Sequence, residues 1–205
     1  MRGSLVVAIL ALLAFFILGS AVSGTDPSAF DRAPANWVGL ATPLAWIFTA
    51  SCLLPTLSVL AVLAISTAVR FPAWRGRVIF ALVVTLVTWQ TSDFIKTRFA
   101  RPRPEHWVRV HESSFAYASG HAMFAVLVYG LWAYFIWRSG LPRGARIAIS
   151  GVLVLWAFGV IWSRLALGAH YPTDLIGGVL LATAALGIGN AVAIAIASRR
   201  PVQSA

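Results

Sequence analysis

Three short stretches of the sequence concentrate side chains that could hold an anion and attack it. The first, 96–104, reads Lys-Thr-Arg-Phe-Ala-Arg-Pro-Arg-Pro. Cations at that density repel one another unless an anion joins them. Arginine offers a fork of donors matched to phosphate oxygens, and Lys96 offers a point charge. Pro102 and Pro104 stiffen the backbone, so the fork of Arg103 keeps its aim. The second stretch, 117–121, reads Tyr-Ala-Ser-Gly-His. Ser119 is suited to cap a helix. The N–H groups of a helix start, closely approachable at Gly120, form an anion site, and His121 stands beside it, within reach of a leaving oxygen. The third stretch, 163–174, carries Ser163, Arg164, His170 and Asp174. A spacing of four lets a turn bring the Asp174 carboxylate to one ring nitrogen of His170, which fixes the tautomer and leaves the other nitrogen to attack. Arg164 adds a further clamp. Each stretch also has a plainer reading: a basic loop against anionic headgroups, an ordinary cap followed by an interfacial histidine, and a helix-capping aspartate near an unrelated histidine.

The elements that must position these groups are membrane spans. Hydrophobic residues make up 60% of the 205 and charged residues 11%, where soluble domains carry about 25% charged. So much apolar surface calls for lipid as solvent and for helices that satisfy their own backbone. The fold class expected is therefore an all-α bundle of six transmembrane helices in one domain over 1–205. The apolar segments are 4–22, 44–69, 78–92, 122–137, 147–162 and 175–198, each without Lys, Arg, Asp, Glu or His. Pro55 is expected to kink the second. The third to fifth hold only 15 or 16 such residues, about 24 Å of helix against a core of about 30 Å. Their outer ends, which carry the polar stretches, are expected at or below headgroup level, although snorkelling basic side chains give the same pattern. The first segment has features of a cleaved leader, but its length favours a retained span.

Charge assigns the sides. The two ends and the even-numbered gaps hold nine basic residues (Arg2, Arg70, Arg75, Arg77, Arg138, Arg143, Arg146, Arg199 and Arg200) and no acid, while the other loops hold seven basic residues and all six acids. Both termini are expected in the cytoplasm of a multi-pass plasma-membrane protein. All four histidines, His106, His111, His121 and His170, and the only lysine then share the outer face. The net charge of +10 is scattered over short loops, which speaks against nucleic acid as a partner. The single cysteine, Cys52, sits in an apolar run and reads as a packing residue.

On these residues the chain resembles the type 2 phosphatidic acid phosphatase superfamily, the lipid phosphate phosphatases. That family's pattern of Lys, six residues, Arg-Pro is met by Lys96, Arg103 and Pro104. Its Pro-Ser-Gly-His is met by Ser119, Gly120 and His121, with Ala118 in the proline place. Its Ser-Arg, five residues, His, three residues, Asp is met in full by Ser163, Arg164, His170 and Asp174. The resemblance implies that His170 attacks phosphorus to form a phosphohistidine, that Asp174 orients it, and that His121 protonates the leaving oxygen and then activates water. Lys96, Arg103, Ser119, Gly120 and Arg164 would bind the phosphoryl oxygens. No cofactor or metal is implied, and the sequence shows no clustered carboxylates on that face to hold magnesium.

The substrate so implied is a phosphorylated membrane lipid in the bilayer. Undecaprenyl pyrophosphate stands first because recycling that carrier needs an outward site; phosphatidylglycerophosphate and phosphatidic acid are the alternatives. A transporter would be expected to carry charge within its spans. A non-catalytic lipid binder would be expected to lack His170 or Arg164, and a vanadate-dependent haloperoxidase of the same superfamily would be soluble. Headgroup choice is expected to rest with 24–42 and 105–116, where Trp37 and Trp107 read as interface anchors. Small residues such as Gly178 and Ala182 permit close helix packing, and the oligomeric state stays open.

Overall fold

A computed structural model describes residues 1–104 and 114–199 of the chain. His106, Trp107 and His111, like most of the loop expected to choose the headgroup, lie outside the described residues.

The order of elements is α1 (Arg2–Val22), α2 (Ala29–Arg32), a 3-10 turn (Ala33–Trp37), α3 (Thr42–Ala50), α4 (Leu54–Arg70) and α5 (Arg75–Phe99), followed by α6 (Gly120–Phe124), a π-helical stretch (Ala125–Gly130), α7 (Leu131–Trp137), α8 (Arg143–Ala166) and α9 (Pro172–Ser198). Among the described residues, five continuous helices, α6 to α7 counting as one, are long and apolar enough to cross a membrane, and the bent pair α3–α4 meets the same length and hydropathy when taken as one span. Large apolar side chains such as Ile17, Phe94, Leu155 and Phe158 are exposed on these helices, as expected where the solvent is hydrocarbon.

Two boundaries differ from the sequence reading. The segment 44–69 is not one kinked helix but two, at 48° to each other across residues 51–53. Pro55 lies in the first turn of α4, where its missing N–H costs nothing, but its ring excludes the carbonyl of Ser51, four residues back, from the helical ladder. That carbonyl instead accepts from the Tyr129 hydroxyl at 3.0 Å. The Ala50 carbonyl accepts from Thr56 Oγ1 at 2.9 Å, so the break leaves neither oxygen bare in an apolar medium. The third and fifth spans are also longer than their uncharged cores. The helices α5 and α8 run for 25 and 24 residues, about 37 Å each at about 1.5 Å per residue. Arginine and lysine are good helix formers, so a charge marks the end of the apolar run without ending the helix. The expectation of short third and fifth spans is corrected accordingly; the fourth, Gly120–Trp137, keeps 18 residues.

The helix α9 is the hub of the bundle, and its small residues let neighbours approach. Against α1, a Cβ placed on Gly187 would stand 2.8 Å from the Ser4 carbonyl and 2.9 Å from Ala8 Cβ. Asn190 also donates to Ser4 Oγ at 2.7 Å. At its other end α1 meets the polar stretches. Phe15 is fully buried beside the Tyr117 ring, whose hydroxyl donates to the Phe15 carbonyl at 2.6 Å. Ser23 Oγ donates to the Phe99 carbonyl at the end of α5. Arg2 and Ser198 therefore lie at the end of the bundle away from residues 96–104, 117–121 and 163–174. The first segment is an integral helix of the packed structure.

Replacing Gly187 by leucine should force α1 from α9 and cost about 1–3 kcal/mol. A thermal unfolding midpoint in detergent should fall clearly; an unchanged midpoint would contradict the close α1–α9 packing.

Candidate active site

His170 lies in the connection between α8 and α9, and that connection is built to hold it. Gly168, at a φ of 66°, takes the left-handed conformation that ends α8. The Ala169 N–H returns to the Arg164 carbonyl at 3.0 Å. Two residues later Tyr171 caps α9, with Pro172 in its first turn. His170 is 2% exposed. Its Nδ1 stands 3.4 Å from Asp174 Oδ2 and its Nε2 3.1 Å from a terminal nitrogen of Arg103. A guanidinium can only donate, so this contact leaves Nε2 as the acceptor and places the ring proton on Nδ1, facing the carboxylate. That is the tautomer in which Nε2 can act as a nucleophile. Arg103 is aimed by four further donations, to the Ser114 carbonyl at 2.6 Å, the Ala169 carbonyl at 2.8 Å, Ser114 Oγ at 3.0 Å and the Phe115 carbonyl at 3.4 Å.

The second stretch meets the third through the backbone. The Ser119 N–H donates to the Asp174 carbonyl at 3.0 Å. Ser119 is the N-cap of α6, its hydroxyl accepting from the Ala122 N–H at 3.5 Å. Close approach is possible because Gly178 lacks a side chain: a Cβ there would meet the Ser119 carbonyl and lie 2.9 Å from Ala122 Cβ. Lys96 Nζ stands 3.9 Å from where a Cβ of Gly120 would be, so the ammonium sits at the start of α6. His121 occupies the first turn of that helix, half-buried. The Tyr117–Ala118 peptide is cis.

Arg164 is fully buried in the last turn of α8. One of its terminal nitrogens donates to Thr49 Oγ1 at 3.3 Å, and Thr49 Oγ1 pairs with Ser163 Oγ at 2.9 Å. The end of α3 thus braces the Ser163–Arg164 pair, a contact no local spacing suggested. The structure brings Lys96, Arg103, Ser119, Gly120, His121, Arg164, His170 and Asp174 to one end of the bundle. Asp174 makes two contacts at once. It faces His170, and it accepts from the Tyr171 N–H at 2.9 Å as a cap of α9.

Behind Asp174 lies a further set of charges that no motif or spacing in the sequence marks. Arg101 is 2% exposed. One nitrogen of its guanidinium donates to Asp174 Oδ1 at 2.5 Å and to Thr173 Oγ1 at 2.7 Å; the other donates to Asp31 Oδ2 at 2.8 Å. Its plane lies over the Tyr171 ring, 4.5 Å from the centroid. Burial raises the Tyr171 phenol pKa, and the Arg101 charge offsets part of that rise. Asp31, 1% exposed, also accepts from the Thr173 N–H at 3.2 Å and from Thr173 Oγ1 at 2.7 Å. Among the described residues no group of three or more His, Cys, Asp or Glu is placed to hold a metal ion.

A family model described as the PAP2 superfamily matches residues 76–195. Phosphatidylglycerophosphatase B of Escherichia coli (strain K12) is 38% identical over 112 residues, which cover 52% of this chain and 41% of that protein. Phosphatidylglycerophosphatase B of Bacillus subtilis (strain 168) is 38% identical over 95 residues, covering 44% and 45%. Lipid A 1-phosphatase of Rhizobium etli is 29% identical over 113 residues, covering 53% and 46%. The chain spans less than half the length of these curated relatives. A crystal structure described as the first transmembrane PAP2 type phosphatidylglycerolphosphate phosphatase from Bacillus subtilis matches with a TM-score of 0.78 at 25% identity, over 95% of this chain and 99% of that one.

An anion that binds only the folded site should stabilise it. Inorganic phosphate is expected to raise the thermal midpoint of the wild type. In Gly178→Val, where the added side chain pushes the start of α6 off α9, phosphate should raise it much less. Equal increments in the two proteins would contradict this geometry.

Proposed function

The chain belongs to the PAP2 superfamily, and on that premise we propose that it is a membrane lipid phosphatase working through a phosphohistidine. The observation that carries the reading is the setting of His170: Nδ1 toward Asp174, Nε2 toward Arg103, with Lys96 and the start of α6 on the same side of the bundle. A phosphoryl group entering there takes over the donations of Arg103. Nε2 then attacks phosphorus, the P–O ester bond breaks, and the leaving oxygen takes a proton from His121. Asp174 stabilises the positive charge growing on the imidazole. Water, deprotonated by His121, breaks the P–N bond and releases phosphate. Charge spreads over the phosphoryl oxygens in each transfer, so the donors of Lys96, Arg103, Arg164 and the α6 backbone contribute most when they are pre-aimed.

The proposed substrate is a lipid that stays in the bilayer. The helices α5 and α9 border an apolar groove of about 970 Å³. It is lined on α5 from Gly76 to Ile95, so it ends one residue short of Lys96. An acyl chain lying there would keep its headgroup near the site. The outward site expected from charge had put undecaprenyl pyrophosphate first. The similarity to proteins named phosphatidylglycerophosphatase B moves phosphatidylglycerophosphate ahead of it, with phosphatidic acid third. For the orientation, Arg70, Arg75, Arg138 and Arg143 flank the helix connections at the end opposite the site. Basic loops stay in the cytoplasm, so the termini belong there and the site belongs outside. The whole of 1–205 then acts as one phosphatase domain that needs no metal.

The test is phosphate release from the three lipids in detergent micelles containing EDTA. Release without a divalent metal is expected, fastest with phosphatidylglycerophosphate. His170→Ala should lower it by at least about 10³-fold. Arg103→Lys should lower it about 10-fold or more, since a point charge does not replace a fork. Undiminished release by folded His170→Ala would overturn the mechanism.

A further inference from the structure

We propose that Asp31 and Arg101 are positioning residues that set the charge and orientation of Asp174, and through it the reactivity of His170. This rests on the phosphatase reading above. The two residues are 70 positions apart, yet they form a buried ion pair whose other arm is Asp174. Arg101 holds the carboxylate that faces the His170 ring, and Asp31 holds Arg101.

The geometry divides the work of each group. The fork of Arg101 spans two carboxylates, so its charge is shared. It takes Asp174 Oδ1 and leaves Oδ2 for the His170 ring and the Tyr171 N–H. The carboxylate is thereby held through both oxygens, with Oδ2 turned toward the histidine. Asp31 is fixed in turn by the hydroxyl and N–H of Thr173, a helix-start N–H that needs an acceptor. Charges this far from water are expensive unless matched. Asp31 keeps Arg101 from being wholly neutralised by Asp174. A carboxylate paired only to arginine would stabilise an imidazolium poorly. With Asp31 present, the trio of Asp31, Arg101 and Asp174 keeps one net negative charge behind His170, which favours the cationic ring formed on phosphoryl transfer.

Arg103 faces the other nitrogen of His170. The elements packed against α9 add Arg32 on α2, Lys96 at the end of α5 and His121 on α6. Tyr171 lies beneath Arg101. The ion pairs of Arg101 run to Asp31 and Asp174, so removing one member of that chain should move the titration of His170 in a direction set by its sign.

The experiment measures kcat, KM and the pH profile of phosphate release for the full chain in micelles, comparing wild type, D31N, R101Q and D31E, with thermal unfolding as the control for folding. Attack requires neutral His170, so its protonation sets the acid limb. The limb should move to lower pH in D31N, which removes a negative charge, and to higher pH in R101Q, which removes a positive one. In both, kcat should fall about 10-fold or more while KM changes little, since neither group touches substrate. D31E, which keeps the charge, should keep the wild-type limb. Opposite shifts in the two amide variants would support the proposal, because loss of packing alone has no sign. Wild-type limbs in either folded amide variant would overturn it. Should neither fold, D31E decides: a shifted limb overturns it, and a lowered kcat on an unshifted limb supports it. His170→Ala separates the two levels. If that variant keeps its activity, the phosphatase mechanism has failed. If it is inactive while D31N titrates like wild type, only the positioning role has failed.

Discussion

A guanidinium buried between two carboxylates holds this site together. Removing Arg101 would leave Asp31 and Asp174 as uncompensated charges away from water, and breaking a buried pair in that way costs about 3–5 kcal/mol. The three residues come from α2, the segment after α5 and the start of α9, so their ion pairs tie three parts of the chain to one point. From that point the rest of the site is set. The Asp174 side chain orients His170 and caps α9, and its carbonyl receives the Ser119 N–H that seats α6. One aspartate therefore fixes both the candidate nucleophile and the helix start that would hold the anion.

The bundle supplies what ion pairs cannot, which is close approach. Lipid gives little hydrophobic drive for helices to associate, so packing depends on small residues that let backbones meet. On α9 these succeed one another down the helix. Gly177 accommodates the Tyr117 ring, Gly178 the Ser119 carbonyl, and Gly187 the backbone of α1. A side chain at Gly178 would open the contact on which the anion site depends, several residues from any reacting atom. The broken second span contributes in the same way. It ends α3 at Ala50 and places Thr49 against Ser163 and Arg164, and the carbonyl it leaves behind is taken by Tyr129.

The number of crossings, the helix start at Ser119 and the His170–Asp174 pairing were legible in the sequence because each rests on local information: an apolar run, a capping residue, a four-residue spacing. What was not legible depends on partners distant in sequence or on energies that hydropathy does not measure. Arg98 continues α5 because arginine favours helix, although it ends the apolar run. Pro55 announced a disturbance, but whether the helix bends or breaks depended on Tyr129 being there to take the Ser51 carbonyl. Arg101 stood in plain view among the basic residues of 96–104, and Asp31 in the count of outer acids. Nothing local tells a solvated charge from a buried one. The signal available was an excess: the family pattern assigns Lys96 and Arg103, and leaves Arg101 between them without a role.

The central claim is that phosphoryl transfer passes through His170, and the most direct test is to isolate that state. The variant His121→Ala, slowed in the second step, would be mixed with phosphatidylglycerophosphate carrying a labelled terminal phosphate, quenched in alkali to preserve phosphoramidates, and digested for mass spectrometry. The account predicts label on the peptide containing His170 and none in the double variant His121→Ala, His170→Ala. Label on a different residue, or continued release of phosphate by the double variant, would contradict it.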